Sequence, residues 1–178
     1  MSNITYNKIS DELIKKIELD RKNHTEKNIP MVQIDVESGK IVNVNNFTYI
    51  DLDIYRKQVD IETKKRNLGL TARYNIITVG RIIPQKNPIF IAKSFVELCK
   101  LRDDCNFVWV GDGNLRTESE RIFKQNGVQS RVHFLGQRAD VNEILQCCNL
   151  FFMPSSFEGL GIVIIEAQAA GLPCLVSR

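Results

Sequence analysis

The sequence predicts an α/β protein with a doubly wound parallel sheet, and three observations support this fold class. From residue 74 onward, short apolar runs alternate with segments whose apolar residues recur at helical spacing. The short runs are continuously apolar, as expected for parallel strands that are buried on both faces. Most of them end at a glycine or a proline, and strand ends of this kind form the ligand-binding edge of such sheets. We therefore expect a Rossmann-like domain with right-handed crossovers.

The first 70 residues predict supporting elements rather than chemistry. Apolar residues recur at helical spacing among charges in residues 8–27, which predicts an amphipathic helix. Residues 31–44 alternate apolar and polar side chains on both sides of a turn at Ser38, which predicts a β-hairpin. Residues 55–70 predict a short charged helix that ends near Gly69.

The alternating part of the chain predicts five strands and four helices. Glycine or proline closes several segments, Pro88 suits a first helical turn, and Asp140 suits an N-cap. The predicted strands are YNIITVG (74–80), NFVWVG (106–111), RVHFLG (131–136), LFFMP (150–154) and PCLVS (173–177). The predicted helices are NPIFIAKSFVELCKLR (87–102), LRTESERIFKQNG (115–127), DVNEILQCC (140–148) and GIVIIEAQAAG (161–171).

Composition narrows the function classes. The net charge is +3, and the 24 basic residues divide evenly, with 12 in residues 1–70 and 12 in residues 71–178, so a nucleic-acid-binding face is not expected. Five cysteines without C-x-x-C spacing and two histidines favour reduced thiols over a zinc site or another metal site. The N-terminal residues carry no apolar signal segment, and no apolar run approaches the ~20 residues of a membrane span. We therefore expect a soluble, cytoplasmic protein.

The loops after the first three predicted strands carry residues that could bind an anion or make tight turns. VGRIIPQKNP places Gly80, Arg81 and Lys86 in one loop, which suits an anionic group, although two solvated surface cations would show the same pattern. VGDG lacks the third glycine of the dinucleotide fingerprint, so Asp112 more simply belongs to a tight turn, and a NAD-dependent dehydrogenase is disfavoured. His133 has no visible acid–base partner, so a structural role is expected.

The segment PSSFEGLGIVIIEAQAAG (154–171) carries the most specific signal. Its two carboxylates, Glu158 and Glu166, lie on either side of a glycine-rich helix start. A helix N-terminus attracts phosphate, and the glycines allow close approach of the backbone. A ligand with a central diphosphate and hydroxyl groups at both ends, such as a nucleotide sugar, would satisfy both carboxylates. Because Glu166 lies among apolar residues on all sides, we expect the helix to be buried and its carboxylate to need a partner.

Four motifs in this order resemble the C-terminal domain of group 1 glycosyltransferases with the GT-B fold, above all those of bacterial capsular and exopolysaccharide synthesis. The motifs are GR-x4-KN (80–87), VGDG (110–113), FLG (134–136) and PSSFEGLGIVIIEAQAAGLP (154–173). The resemblance implies transfer of a sugar from a nucleotide-diphospho donor to a glycan or lipid-linked acceptor, with retained anomeric configuration and with neither a metal nor a cofactor.

The resemblance also implies roles for individual residues. Arg81 and Lys86 would bind the donor phosphates, with Gly80 beside them. Glu158 would contact the donor hexose, and Glu166 would hold the ribose hydroxyls. The implied catalytic residues are thus Arg81, Lys86 and Glu158, with Glu158 as a covalent nucleophile being the minority alternative to front-face attack. The remaining implied donor-binding residues are Phe134 and Leu135, whose backbone would contact the base, and Gly159, Leu160, Gly161 and Ile162, which would present backbone to the diphosphate.

The chain departs from the family at both ends. Residues 1–49 are expected to be an appendage or connector, and residues 50–178 a nucleotide-sugar-binding domain that is cut short at its C-terminus. The family's N-terminal, acceptor-binding domain would have to come from elsewhere, either from a partner chain or from a longer parent enzyme, which could work at the membrane surface. Three hypotheses therefore remain: half of a retaining glycosyltransferase, a nucleotide-sugar-binding module that is inactive alone, or a GT-B nucleotide-sugar epimerase.

Overall fold

A computed structural model of the chain describes residues 31–34, 41–48, 52–55, 57–158 and 161–177. The chain divides into two compact units, Met1–Asp53 and Ile54–Arg178. Over the described ranges, no helix is both long enough and apolar enough to cross a membrane.

The first unit contains an antiparallel strand pair. Strand β1 (Met31–Ile34) pairs with β2 (Ile41–Thr48), with Ile34 opposite Ile41. The hairpin predicted from the alternating pattern is therefore confirmed. The turn that joins its strands and the helix predicted over residues 8–27 lie outside the described residues.

The second unit is a parallel five-stranded sheet with helices, as the sequence predicts. The strand order is β5-β4-β3-β6-β7, and every neighbouring pair is parallel. The strands are β3 (Tyr74–Val79), β4 (Cys105–Val110), β5 (Val132–Gly136), β6 (Leu150–Met153) and β7 (Cys174–Val176). The helices are α1 (Ile61–Leu68), α2 (Pro88–Leu101), α3 (Arg116–Gln125), α4 (Val141–Gln146) and α5 (Ile162–Ala169). The predicted helix starts at Pro88 and after Asp140, and the helix end at Gly69, are confirmed.

The core lies where α2 and α3 cover β3, β4 and β5. All six residues of β4 are buried, which explains why all of them except Asn106 are apolar. Aromatic rings from strands and helices meet there at centroid separations of 5.4 to 6.2 Å. Such ring pairs add about 0.5–1.5 kcal/mol each beyond the area that they bury. The rings are Phe95, Phe107, Trp109, Phe123 and Phe134.

The central strand β3 marks the point where the winding of the sheet reverses. It pairs with β4 on one side and with β6 on the other, although β6 follows β4 and β5 in the chain. In doubly wound sheets, the connections on the two sides of such a strand leave over opposite faces, which opens a crevice at the carboxyl ends of the two central strands. The crevice here lies between the loop after β3 and the loop after β6.

Close backbone contact holds the loop after β3 against the loop after β4. A Cβ atom at Gly111 would lie 2.1 Å from the Gly80 carbonyl oxygen, and one at Gly113 would lie 2.4 Å from that of Ile82. The Ile82 amide also donates to the Asp112 carbonyl at 2.9 Å. The VGDG motif therefore needs its glycines for packing, because no side chain fits between the two loops.

We expect Gly111→Ala to lower the free energy of unfolding by more than about 3 kcal/mol, because a Cβ atom there meets rigid backbone and the residue has a φ of +131°. Gly127→Ala is the matched control. Its φ is +70°, but nothing lies within 4 Å of the added Cβ, so only the left-handed conformation costs free energy, about 1 kcal/mol. Urea unfolding of both variants measures the difference, and equal losses would contradict the proposed contact.

Candidate functional site

Two hydrogen bonds join the loops on the two sides of the crevice. The Ser156 amide donates to the Gln85 carbonyl at 2.8 Å, and Gln85 Nε2 donates to the Phe157 carbonyl at 3.2 Å. Gln85 belongs to a short 3-10 turn, Pro84–Lys86, which begins at a proline and whose backbone is therefore restrained. The segment that leads to Glu158 is thus held against the loop that carries Lys86.

Lys86 and Glu158, which are 72 residues apart in sequence, form an ion pair across the crevice. The side chains are 14% and 21% exposed, so solvent screens the pair only in part. Burial alone would raise the pKa of the Glu158 carboxyl, but Lys86 and the neighbouring Ser155 hydroxyl together outweigh this effect and lower that pKa. The Ser155 contribution is the weaker one, because its Oγ is buried and makes no hydrogen bond of ordinary geometry among the described residues.

The ammonium group of Lys86 lies near the start of α5. Lys86 Nζ is 3.9 Å from Met153 Sδ, and a Cβ atom at Gly161 would lie 3.8 Å from Met153 Cε. One methionine side chain thus separates the cation from the N-cap of the helix. The Ile164 amide donates to the Gly161 carbonyl at 2.8 Å, whereas the Ile162 and Val163 amides precede the first intrahelical bonds, and the N-cap Gly161 has no side chain to cap them. A cation and a helix N-terminus, both of which attract phosphate, therefore lie at one end of the crevice.

Arg81 provides a second cation on the same loop. It follows Gly80 directly, its side chain is exposed, and it makes no ion pair within the described part of the chain. The structure thus brings Lys86 and Glu158 into contact. Arg81 lies five residues before Lys86 on the same loop. Gly159 and Leu160, which were predicted to bind the donor, lie outside the described residues.

The expectation that Glu166 is buried is wrong. In α5 only Ala167 is buried, and the other apolar residues of the helix and Glu166 are partly exposed. An apolar pattern on all sides predicts cover on all sides, whereas the described residues cover α5 only on the side where Ala167 lies. Glu166 makes no ion pair with any described residue, so its role as a ribose ligand stays a prediction that rests on its place in the motif.

The side chain of Phe134 belongs to the core. It stacks on Trp109 with a centroid separation of 5.9 Å and an interplanar angle of 12°, and the Arg116 guanidinium lies over its ring. The Phe134 side chain is therefore engaged within the domain, and its backbone is the part to which the resemblance gives a role at the base. A cleft of about 480 Å³ opens beyond this strand end. It is lined by Gln137, Arg138, Ala139, Asp140, Asn142 and Glu143.

Asp140 does not cap α4 with its side chain, although it occupies the predicted N-cap position. Its carboxylate instead accepts hydrogen bonds from Arg138 at 2.7 and 2.8 Å and from Lys64 of α1 at 2.7 Å. The Arg138 guanidinium and, after it, the Lys64 ammonium hold the pKa of Asp140 well below its usual value against the opposing effect of burial. Ion pairs of Asp140 with Arg138 and Lys64 therefore hold the loop after β5 in place.

Two other residues that the sequence singled out have structural roles. Asp112 Oδ1 accepts from the Gly113 amide at 2.8 Å, and its other carboxylate oxygen pairs with Arg116 at 3.1 Å, as expected for a turn that leads into a helix. His133 lies next to Gly69, and burial lowers its pKa, so the imidazole is neutral near pH 7. Within the described ranges, no three His, Cys, Asp or Glu side chains gather to hold a metal ion.

Sequence reasoning missed Gln85 and Ser155. Gln85 immediately precedes Lys86 and Ser155 follows the proline that ends β6, so both adjoin residues that were identified. The contacts of Gln85 cross the crevice to a segment about 70 residues away, and no local pattern reports such a contact. The available signal was the position of each residue beside a predicted ligand-binding loop.

Comparison with known proteins identifies the family of this chain. A model of the family glycosyl transferases group 1 matches residues 60–178. The chain belongs to this family. Its matched part contains both loops of the crevice, the Lys86–Glu158 ion pair and α5.

Two curated relatives of this group 1 glycosyltransferase chain are named as bacterial glycosyltransferases. It is 34% identical over 158 residues to UDP-Gal:alpha-D-GlcNAc-diphosphoundecaprenol alpha-1,3-galactosyltransferase of Escherichia coli, covering 86% of this chain and 40% of the relative. It is 30% identical over 138 residues to N,N'-diacetylbacillosaminyl-diphospho-undecaprenol alpha-1,3-N-acetylgalactosaminyltransferase of Campylobacter jejuni, covering 76% and 34%. The chain thus spans about two fifths or less of the length of these two relatives.

Solved structures confirm the fold as the Rossmann-like half of a GT-B architecture. HepE of Anabaena in complex with UDP and glucose is 25% identical with a TM-score of 0.65, covering 71% of this chain and 36% of HepE. WaaG, a glycosyltransferase involved in lipopolysaccharide biosynthesis, is 29% identical with a TM-score of 0.60, covering 68% and 34%.

We expect Gln85→Ala to loosen residues 155–158 without unfolding the sheet, because it removes the bond to the Phe157 carbonyl and keeps the backbone bond to Ser156. The loss of one such hydrogen bond corresponds to about 0.5–1.5 kcal/mol. Hydrogen exchange of the amides of residues 155–158 should accelerate about tenfold or less. Gln125→Ala, at the exposed end of α3, is the control that should change nothing there. Unchanged exchange in the Gln85 variant would contradict the bridging role.

Asp140→Asn should destabilise the domain at neutral pH, and its difference from the wild type should shrink in acid. Because the folded pKa of Asp140 is depressed, its contribution is present above the unfolded pKa of about 3.9 and is lost as the pH falls toward the folded value. Unfolding free energies between pH 7 and pH 2 measure this effect. Asp103→Asn, at an exposed aspartate without a described ion pair, is the control. A pH-independent difference between Asp140→Asn and the wild type would contradict the charge-based account.

Proposed function

We propose that this chain is the donor-binding half of a retaining glycosyltransferase. The parent enzyme transfers a sugar from a nucleotide-diphospho-sugar to a glycan or lipid-linked acceptor in polysaccharide biosynthesis. The observation that carries the proposal is the Lys86–Glu158 pair, which lies at the winding reversal of the sheet, beside the N-terminus of α5. The bound UDP and glucose of HepE support a nucleotide-sugar donor. The lipid-diphosphate acceptors in the names of the two curated relatives support a lipid-linked acceptor.

Two cations and a helix N-terminus stabilise the donor diphosphate in this proposal. Arg81 and Lys86 supply cations, and the Ile162 and Val163 amides at the start of α5 supply hydrogen-bond donors and a partial positive charge. These groups stabilise the negative charge that grows on the leaving diphosphate in the transition state. Glu158 contacts the hexose, Glu166 the ribose hydroxyls, and the backbone of Phe134 and Leu135 the base.

Retention follows from attack on the face that the diphosphate leaves. The bond from the anomeric carbon to the phosphate oxygen breaks, the bond to the acceptor oxygen forms on the same face, and the acceptor proton passes to the departing phosphate. Glu158 is a poor covalent nucleophile, because its pKa is lowered and its carboxylate is paired with Lys86. The parent enzyme would act in the cytoplasm, at the membrane surface when its acceptor is lipid-linked.

The acceptor site and the remaining catalytic groups would come from an N-terminal domain or a partner chain, since the chain covers only 40% of its E. coli relative. A nucleotide-sugar-binding module that is inactive alone is therefore the second candidate function. Both candidates predict binding by this chain without transfer.

We expect at least one nucleoside diphosphate and its sugar conjugate to raise the melting temperature of the full chain, because a ligand that binds only the folded state stabilises it. The panel is UDP, GDP, ADP and their glucose conjugates. No transfer to an added acceptor should be detected. The absence of stabilisation by every ligand would contradict donor binding, and transfer by the purified chain would contradict the assignment of this chain to half of an enzyme.

Arg81→Ala should weaken binding of the best nucleoside diphosphate by about 1.5–3 kcal/mol, as expected for the loss of hydrogen bonds to a charged group. Affinity of the wild type should also fall with added salt. Lys124→Ala removes the same charge at the exposed far end of α3 and is the matched control. Isothermal titration calorimetry measures all three proteins. Equal affinities would make Arg81 an ordinary surface cation.

A further inference from the structure

The cation expected to bind phosphate and the carboxylate expected to bind sugar are already paired with each other. Lys86 Nζ donates to Glu158 Oε1, and both side chains are largely shielded from solvent. Lys86 also packs its stem over Gly80, since a Cβ atom there would lie 3.3 Å from Lys86 Cε. Lys86 Nζ also lies 3.9 Å from Met153 Sδ, which is only a weak acceptor.

A diphosphate that enters beside Lys86 must therefore compete with Glu158. A carboxylate and a phosphate oxygen cannot occupy the same side of one ammonium without repelling each other. Arg81 follows Gly80 on the loop that carries Lys86, and neither Arg81 nor the start of α5 pairs with a carboxylate among the described residues. These groups add to the attraction of the diphosphate for the Lys86 ammonium, and Glu158 is then left without its cation.

We infer that Lys86 exchanges partners when a donor binds, from Glu158, its partner in this structure, to the diphosphate of the donor. The exchange frees the Glu158 carboxylate to accept hydrogen bonds from sugar hydroxyls. Sugar recognition is thereby coupled to phosphate recognition, and a sugar that arrives without a diphosphate meets a carboxylate that is already satisfied. This inference rests on the proposed function.

The alternative is a purely structural pair, in which Lys86 holds Glu158 in place before and after binding. The two accounts differ in the sign of one measurable effect. If the pair is exchanged, removal of the carboxylate removes a competitor, so an inorganic anion binds more tightly. If the pair is structural, or if Glu158 contacts only the sugar, removal of the carboxylate leaves anion binding unchanged or weakens it.

The experiment is calorimetric titration of the full chain with inorganic pyrophosphate, which has neither base nor sugar. Glu158→Gln should bind it about five- to tenfold more tightly than the wild type, as expected when a partly buried ion pair no longer competes. Glu158→Ala is a second variant that should show the same gain. Glu97→Gln changes the net charge equally at an exposed site near the end of α2 and should show no gain. Circular dichroism and urea unfolding confirm that each variant is folded.

A double-mutant cycle shows whether the gain passes through Lys86. Lys86→Gln should weaken pyrophosphate binding more in the Glu158→Gln background than in the wild type, and the double variant should show no gain. Equal or weaker binding by Glu158→Gln and Glu158→Ala, absence of pyrophosphate binding to all variants, or a gain that persists without Lys86 would each overturn the exchange.

The results distinguish failure of the partner exchange from failure of the proposed function. If UDP or UDP-glucose binds the wild type but the Glu158 variants show no gain for pyrophosphate, donor binding stands and the exchange is wrong. If the gain for pyrophosphate is present but no nucleotide or nucleotide sugar of the panel binds, the exchange stands as an anion response and donor binding is wrong.

Discussion

The pairing of β3 with β4 on one side and β6 on the other is the constraint on which the site depends. Parallel pairing brings the carboxyl ends of these strands to one edge, and the reversal of winding directs the two following connections over opposite faces. Two loops that are about 70 residues apart in sequence therefore face each other. Lys86 and Glu158 meet because of this topology, since nothing in either local sequence directs one toward the other.

The electrostatics of the crevice follow from its position. A site for a diphosphate needs cations, whereas a site for sugar hydroxyls needs acceptors, and carboxylates close to phosphate cost free energy. This chain places the opposing charges in contact, so the Lys86 ammonium compensates the partly buried carboxylate of Glu158. Arg81 is exposed and makes no ion pair with a described residue, which costs little free energy because water solvates the guanidinium.

The sheet and its helices could be predicted from the sequence because local residue patterns determine them. Strands buried on both faces are apolar over most of their length, as β4 is, and helix starts and stops are visible in residues such as Pro88 and Gly69. The site loops were identified because they follow those strands. The ion pair, the Gln85 bridge and the use of the Asp140 carboxylate were not visible, because they join residues that are distant in sequence. Burial of Glu166 was mispredicted because an apolar helix pattern shows what a helix could bury, whereas neighbouring segments decide what is covered.

The attachment of α1 has a mechanical consequence. This helix contains no buried residue, and Lys64 ties it to Asp140 and Glu143 at the start of α4. A second tie runs from Asn142 Nδ2 to the Ile54 carbonyl, just ahead of the helix. Ion pairs near the surface weaken with ionic strength, and they break more readily than a packed core unfolds. A pull on the chain ahead of α1 would therefore be transmitted to the loop after β5, because Asp140 would lose one of its two cations while the sheet stayed intact.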